Sequence, residues 1–208
     1  MQGFVKHSYT VGEWILKFLE LQILWIIYVL KGVIAFGLFP ATGTVFRVIY
    51  LFISEPEEEV DVRSVFKDYY KNNFWELNKL GYIMTALLMI LALDLRISQA
   101  YIGSYFVHYF LLALLILVLG TFLYLFPIYS RYDLSTFYYI KQAFIYFFSN
   151  IFETVAILLG FGLLLIITTA LPILMIFAGV PLFTIPTSWF VYQAMKKMER
   201  RREALEEE

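Results

Sequence analysis

The sequence predicts an all-α protein, a polytopic helical bundle embedded in a membrane, from three observations. The chain of 208 residues is 61% hydrophobic and only 16% charged, whereas soluble domains carry about 25% charged residues. From Thr154 to Met195 it runs 42 residues without an Asp, Glu, Lys or Arg, then turns abruptly into KKMERRR. As one helix that run would be about 63 Å long, twice the thickness of a hydrocarbon core, so it must cross twice. Pro172 supplies the break between its halves.

Apolar runs define five spans in a single membrane domain, at 21–39, 80–96, 105–128, 154–171 and 173–195. The first closes on Leu38-Phe39-Pro40 and opens a cytoplasmic loop, 40–79. Within that loop TGTVFRVIYLFI is apolar but too short to cross, which suits an interfacial position. The acidic EPEEEVD reads as a solvated linker. After it Val62, Val65, Phe66, Tyr69, Tyr70, Asn73 and Phe74 recur at helical spacing, predicting an amphipathic helix against the membrane. A second interfacial segment, 134–149, is rich in aromatic residues around Lys141, fitting the headgroup boundary. The tail 196–208 is charged.

Basic residues set the predicted orientation. Arg47, Arg63, Lys67, Lys71, Lys79, Arg131, Lys141 and the tail share one face, against Lys6, Lys17 and Arg96 on the other. By the positive-inside rule the C-terminus is cytoplasmic and the N-terminus outside. Lys17 and Glu20 keep open an alternative in which the N-terminal segment lies on the inner surface and four spans cross. The N-terminal sequence lacks the basic start, apolar core and small-residue site of a removable signal peptide.

Composition also excludes functions. With no cysteine there is no disulfide, thiolate nucleophile or Cys-ligated metal. His7 and His108 are the only imidazoles, and no HExxH, GxSxG or Gly-rich phosphate loop occurs. Net charge is −1 without a basic stripe, which argues against a nucleic-acid partner. The expectation is a non-enzyme with no cofactor and no metal, whose partner is first of all the bilayer.

Ionisable residues at membrane depth are expensive, which makes Lys31 the leading ligand candidate. It stands within the predicted first span and requires a partner from another span, a watery cavity or a snorkelling path. Glu76 and Glu153 open ascending spans, where a carboxylate complements the helix dipole. Gly160, Gly162, Gly179, Pro181 and Pro186 read as packing and kink positions.

The order of features repeats. Leu38-Phe39-Pro40 and Leu125-Phe126-Pro127 each precede an interfacial segment, and each following span is entered through an Asn-x-x-Glu, Asn73 to Glu76 and Asn150 to Glu153. This is the pattern of a parallel internal duplication, with a pseudo-twofold axis along the membrane normal and the fifth span added.

At Pro40 to Gly43, Lys71 to Phe74 and Phe126 to Asp133 the sequence resembles the YesL-like bacterial membrane proteins, the domain-of-unknown-function family 624. The similar features are a first span closing on a Pro-Ala-Thr turn, a basic-aromatic helix ending Lys-x-Asn-Phe, and a Phe-Pro-x-x-x-Arg-Tyr-Asp turn. Phe39 and Lys31 depart from that pattern. The resemblance implies a protein encoded beside carbohydrate transporters and sensor kinases, with no established catalysis. The reading that follows is an accessory subunit of a sugar transporter or sensor kinase, docking through Arg47 and the Arg131 to Asp133 turn, or a homo-oligomer. The alternative is a small-molecule transporter or channel using Lys31 and the kinked last span. Candidate partner or ligand residues are Lys31, Arg47, Asn73, Glu76, Arg131, Asp133, Asn150 and Glu153.

Overall fold

Gly32, Val33 and Ile34 split the first apolar run into two helices. In the computed structural model, which describes residues 2–206, α1 spans Gln2–Lys31 and α2 spans Ala35–Ser54. The reversal between them is tight. Val33 and Ile34 have φ of 55° and 60°, left-handed values that β-branched residues rarely adopt. Ile34, with ψ of −65°, centres a γ-turn in which Ala35 N–H donates to Val33 O at 2.7 Å, a strained geometry. Two glycines permit it. A Cβ on Gly32 would strike the backbone of Gly37, and one on Gly37 the backbone of Val29. Trp25 Nε1–H donates to Thr42 Oγ1 at 3.1 Å, so α1 and α2 lie antiparallel as a hairpin.

This corrects the sequence reading in two places. The predicted span 21–39 is not one helix, because its apolar run conceals the turn. The segment 42–53 is not a separate interfacial piece either but part of α2, with Val45, Phe46, Val48, Ile49 and Phe52 buried. Pro40 does not end a span. It is the sixth residue of α2, inside the helix, where its missing N–H leaves the carbonyl of Phe36 without its helical donor.

The predicted loop 40–79 contracts to 55–61, and α3 runs Val62–Ile97 as one continuous helix. Asp61 caps it, its Oδ1 accepting from Arg63 N–H and Ser64 N–H at 3.2 Å each. The expected amphipathic face exists, with Val62, Phe66 and Tyr70 buried. It packs on α1 and α2 rather than lying on a membrane. Glu20 pairs with Arg63 at 2.6 Å and the Tyr28 ring meets those of Phe66 and Tyr70 at 5.1 and 4.7 Å, so α1 and α3 run parallel. Leu77 against Gly43 and Phe39 against Gly81 make α2 antiparallel to α3.

One π-helical turn, Ser98–Ile102, and a left-handed Gly103 lead into α4, Tyr105–Tyr129. Helix α5, Thr136–Ser149, occupies the predicted interfacial segment, followed by α6, Ile151–Ala170, and α7, Ile173–Glu206. Ala178 leaves helical geometry (φ −149°, ψ 17°) and kinks α7 just before Pro181. Among the described residues, five helical stretches are long and apolar enough to cross a membrane: Ala35–Ser54, Val62–Tyr101, Tyr105–Tyr129, Ile151–Ala170 and Ile173–Arg200. The first is displaced from where the sequence placed it.

The ends of the bundle are unlike. Trp14 meets Phe52 at 5.4 Å and Tyr50 meets Tyr192 at 5.9 Å, so the Trp14 region of α1 lies at the same end as the last turns of α7. The sequence expectation puts the termini on opposite membrane faces; within the bundle α1 turns back at residues 32–34 and packs on α2. The hairpin is also short. Phe36, beside its tip, meets Tyr82 at 5.9 Å, and α3 continues from Tyr82 to Ile97, about 22 Å of further helix.

Candidate functional site

Most of the polar residues that the sequence singles out converge at the end where α1 begins and α7 finishes. The turn after α4 is the hub. Ser130 Oγ donates to Pro127 O at 2.7 Å, and Arg47 Nη1 of α2 donates to Ser130 O at 2.6 Å. The guanidinium of Arg47 also stands 5.6 and 5.9 Å from the Tyr50 and Tyr69 rings. Next along, Arg131 Nη2 donates to both carboxylate oxygens of Glu199 on α7, at 2.6 and 2.7 Å. Tyr132 O–H reaches Glu199 at 3.2 Å and its oxygen lies 3.0 Å from that of Tyr146 on α5.

On the α3 side, Tyr129 O–H is shared between Asn73 Oδ1 and Glu76 Oε2, at 2.9 and 3.0 Å. On the α6 side, Glu153 accepts from Lys197 at 2.9 Å, and Tyr124 O–H reaches Asn150 O at 3.2 Å and Thr154 Oγ1 at 2.9 Å. Arg47, Asn73, Glu76, Arg131, Asn150 and Glu153 thus form one girdle that ties α2, α3, α4, α5, α6 and α7 together. Asp133 lies exposed at its edge. Lys31 lies elsewhere, exposed at the hairpin tip with Nζ 4.4 Å from the Tyr28 ring.

The girdle's chemistry is that of a clamp. Tyr132 and Tyr146 are held above the ordinary tyrosine range, first by burial and, for both, by the nearby Glu199 carboxylate, with Arg131 opposing. Both therefore remain neutral donors. Among the described residues, no group of three or more His, Cys, Asp and Glu side chains is placed to hold a metal.

The two Asn-x-x-Glu segments do the same job in their helices. Asn73 Nδ2 donates to Tyr69 O and Asn150 Nδ2 to Tyr146 O, each four residues back and each at 2.9 Å. Both following Glu side chains then accept from a group on another helix. The two Leu-Phe-Pro segments differ, for Pro40 stands early in α2 and Pro127 near the end of α4. Their rings nevertheless meet, Phe39 stacking on Phe126 at 6.4 Å.

Two positions that sequence reasoning missed complete backbone bonding broken elsewhere. Gln22 Oε1 accepts Val180 N–H at 3.0 Å, a donor released by the kink at Ala178. Asn78 Nδ2 donates to Phe36 O at 2.8 Å and to Phe74 O at 2.9 Å. The available signal was a lone amide on an otherwise apolar helix face in each case. Beside Gln22 lies an apolar cavity of about 730 Å³, walled by α1, α2, α4, α6 and the kinked part of α7. Lys31 is not in its wall.

Comparison with known proteins connects this architecture to a family. The model of the family described as "Protein of unknown function, DUF624" matches residues 18–95, the stretch forming the hairpin and nearly all of α3. YesV of Bacillus subtilis (strain 168) is 30% identical over 194 residues, covering 92% of each chain. The chain belongs to the DUF624 family. YteU and YesL of the same organism are 27% and 28% identical to this DUF624 protein, covering 94% and 91% of it and 91% and 90% of their own lengths. All three relatives are described as uncharacterized. No solved structure matches the DUF624 chain.

Proposed function

We propose that this DUF624 protein is a non-enzymatic accessory subunit of a membrane assembly for carbohydrate uptake or sensing, and that it docks through the girdle end of the bundle. The observation that carries this reading is the exposed face of α3 at that end. Lys67, Asp68, Lys71, Trp75 and Lys79 lie on one helical stripe open to the surroundings, and Trp75 is 76% exposed. A large aromatic residue among charges, on a helix fixed from behind by the girdle, has the composition of an interface anchor. The docking surface moves accordingly from Arg47 and Arg131, which bind within the protein, to this stripe. The carbohydrate element of the reading rests on the family resemblance.

The basic girdle end is cytoplasmic in this reading, by the positive-inside rule, so that the α1 start and the α7 end both face inward at a bacterial plasma membrane. Purification from native membranes in mild detergent tests the proposal. A transporter or kinase subunit copurifies with the wild-type chain and is lost from the Lys67→Glu, Lys71→Glu variant. A chain that emerges alone under every mild condition overturns it.

The transporter alternative retains one support, the cavity against the kinked α7. It loses Lys31 as a lining residue. Sealed-vesicle uptake that depends on the cavity wall but not on Lys31 is the result that would favour it.

A further inference from the structure

The 730 Å³ cavity has a floor, a wall and a mouth of distinct chemistry. Phe46 and Phe126 close it towards the girdle, their rings stacked at 6.1 Å. Its mouth is bordered by Leu38 of α2, Leu119 of α4 and Met175 of α7, which are 41%, 50% and 48% exposed. All three are apolar, and they stand on helices of spanning length, so the mouth opens to bilayer rather than to water. From Met175 to Thr187 the cavity follows α7 for about 18 Å.

Most of the polar groups in the wall are bonded within the protein. Trp25 Nε1–H donates to Thr42 Oγ1 at 3.1 Å, Gln22 Oε1 accepts Val180 N–H at 3.0 Å, Thr184 Oγ1 donates to Pro181 O at 2.9 Å, and Thr187 Oγ1 reaches Phe183 O at 3.4 Å. A buried water needs two to four polar partners, and beyond the side-chain N–H groups of Gln22 a wall made mostly of Leu, Phe, Val and Met side chains supplies few. The occupant is therefore apolar. An extended hydrocarbon chain fits, in a volume ordinary for a ligand pocket.

The geometry points to a binding site for one acyl tail of a bilayer phospholipid, entering between Leu38, Leu119 and Met175 and lying along the kinked part of α7 with its end towards Phe46 and Phe126. Gln22 maintains the wall by holding the α7 kink open.

Trp25 in the wall is the reporter. The chain holds four tryptophans, so Trp14→Phe, Trp75→Phe and Trp189→Phe leave Trp25 alone, and a companion variant retains only Trp75. Each is reconstituted in phosphatidylglycerol and phosphatidylethanolamine vesicles whose acyl chains are brominated. Bromolipid is expected to quench Trp25 strongly, water-soluble acrylamide to quench it weakly, and Leu38→Phe with Leu119→Phe at the mouth to cut the bromolipid quenching at least twofold. Quenching of Trp25 that is unchanged by blocking the mouth, or that acrylamide matches, overturns the proposal. Native mass spectrometry of the wild-type protein provides a second reading that needs no variant. One retained phospholipid per chain after a delipidating wash supports the site, and a lipid-free chain overturns it.

Discussion

Asn78 supplies the hydrogen bond that Pro40 cannot make. Proline has no N–H, so the carbonyl four residues earlier, Phe36 O, loses its helical donor. Asn78 Nδ2 of α3 donates to that carbonyl at 2.8 Å, while its own Oδ1 is buried without a partner. The residue is present for its donors. Asn78→Leu should destabilise the protein by about 1–3 kcal/mol, the usual cost of a buried group left unpaired. In a Pro40→Ala background the backbone donor returns, so the same substitution should cost less. Thermal unfolding of the four proteins in detergent gives the double-mutant cycle, and purely additive effects would contradict the relationship.

Arg131 and Glu199 join the α4 turn to α7 through two hydrogen bonds in a partly buried site. Arg131→Ala is expected to cost about 1–2 kcal/mol, between the values for exposed and buried pairs. Arg131→Lys should recover only part of it, because an ammonium cannot grip both oxygens as the planar guanidinium does. Melting temperatures of the two variants in the same detergent decide the order.

Gln22 holds the α7 kink by accepting the Val180 amide. Gln22→Leu leaves that donor without an acceptor, and hydrogen exchange at Val180 should quicken markedly. Gln22→Glu retains an acceptor and should keep the amide protected. Equal exchange in all three proteins would mean that the kink is held by something else.

Gly81 faces the Phe39 ring so closely that an added methyl group must displace it. Gly81→Ala should therefore cost about 1–3 kcal/mol as an overpacked contact. Phe39→Leu, introduced with it, should recover a measurable part of the loss. Denaturant unfolding of the single and double variants tests this.

Tyr132 and Tyr146 titrate above the ordinary range because of burial and the Glu199 carboxylate. Their neutral form is the one that the fold favours. Their contribution to stability should be complete below pH about 10, the unfolded tyrosine value, and should fall as pH rises through their higher folded values. An ultraviolet titration should show both ionising after the exposed tyrosines, and Tyr132→Phe should remove one late step.

Helix lengths were legible because apolar runs measure themselves against a bilayer, and α4, α5, α6 and the start of α7 lie close to the predicted boundaries. The α1 to α2 reversal was not. Gly32-Val33-Ile34 carries neither proline nor charge, and nothing in hydropathy distinguishes a turn made of apolar residues from a continuing span. Pro40, which looks like a terminator, lies near a helix start where its missing donor is supplied by α3. The girdle was half legible. Arg47, Asn73, Glu76, Arg131, Asn150 and Glu153 stand out as polar residues at span boundaries, but their partners Tyr129 and Glu199 do not, because a tyrosine in an aromatic run and a glutamate in a charged tail are unremarkable until the fold brings them near. The glycines were legible in part. Gly160 packs against Pro186 and Gly179 stands beside the kink at Ala178, whereas Gly162 has open space where a side chain would go, and the tight approaches at Gly32, Gly37 and Gly81 went unread.

The short α1–α2 hairpin bears on how the molecule is made. Its two arms leave the ribosome before α3, yet the tip is held by α3, through Tyr70 O–H on Tyr28 O at 3.0 Å and Asn78 on Phe36 O. A strained turn with two β-branched residues in left-handed conformation costs about 1–3 kcal/mol for each residue, and before α3 arrives only the contacts between the arms, such as Trp25 on Thr42, offset it. The tip contacts of the hairpin therefore form only once α3 is in place, so a segment made early in synthesis is completed by one made later.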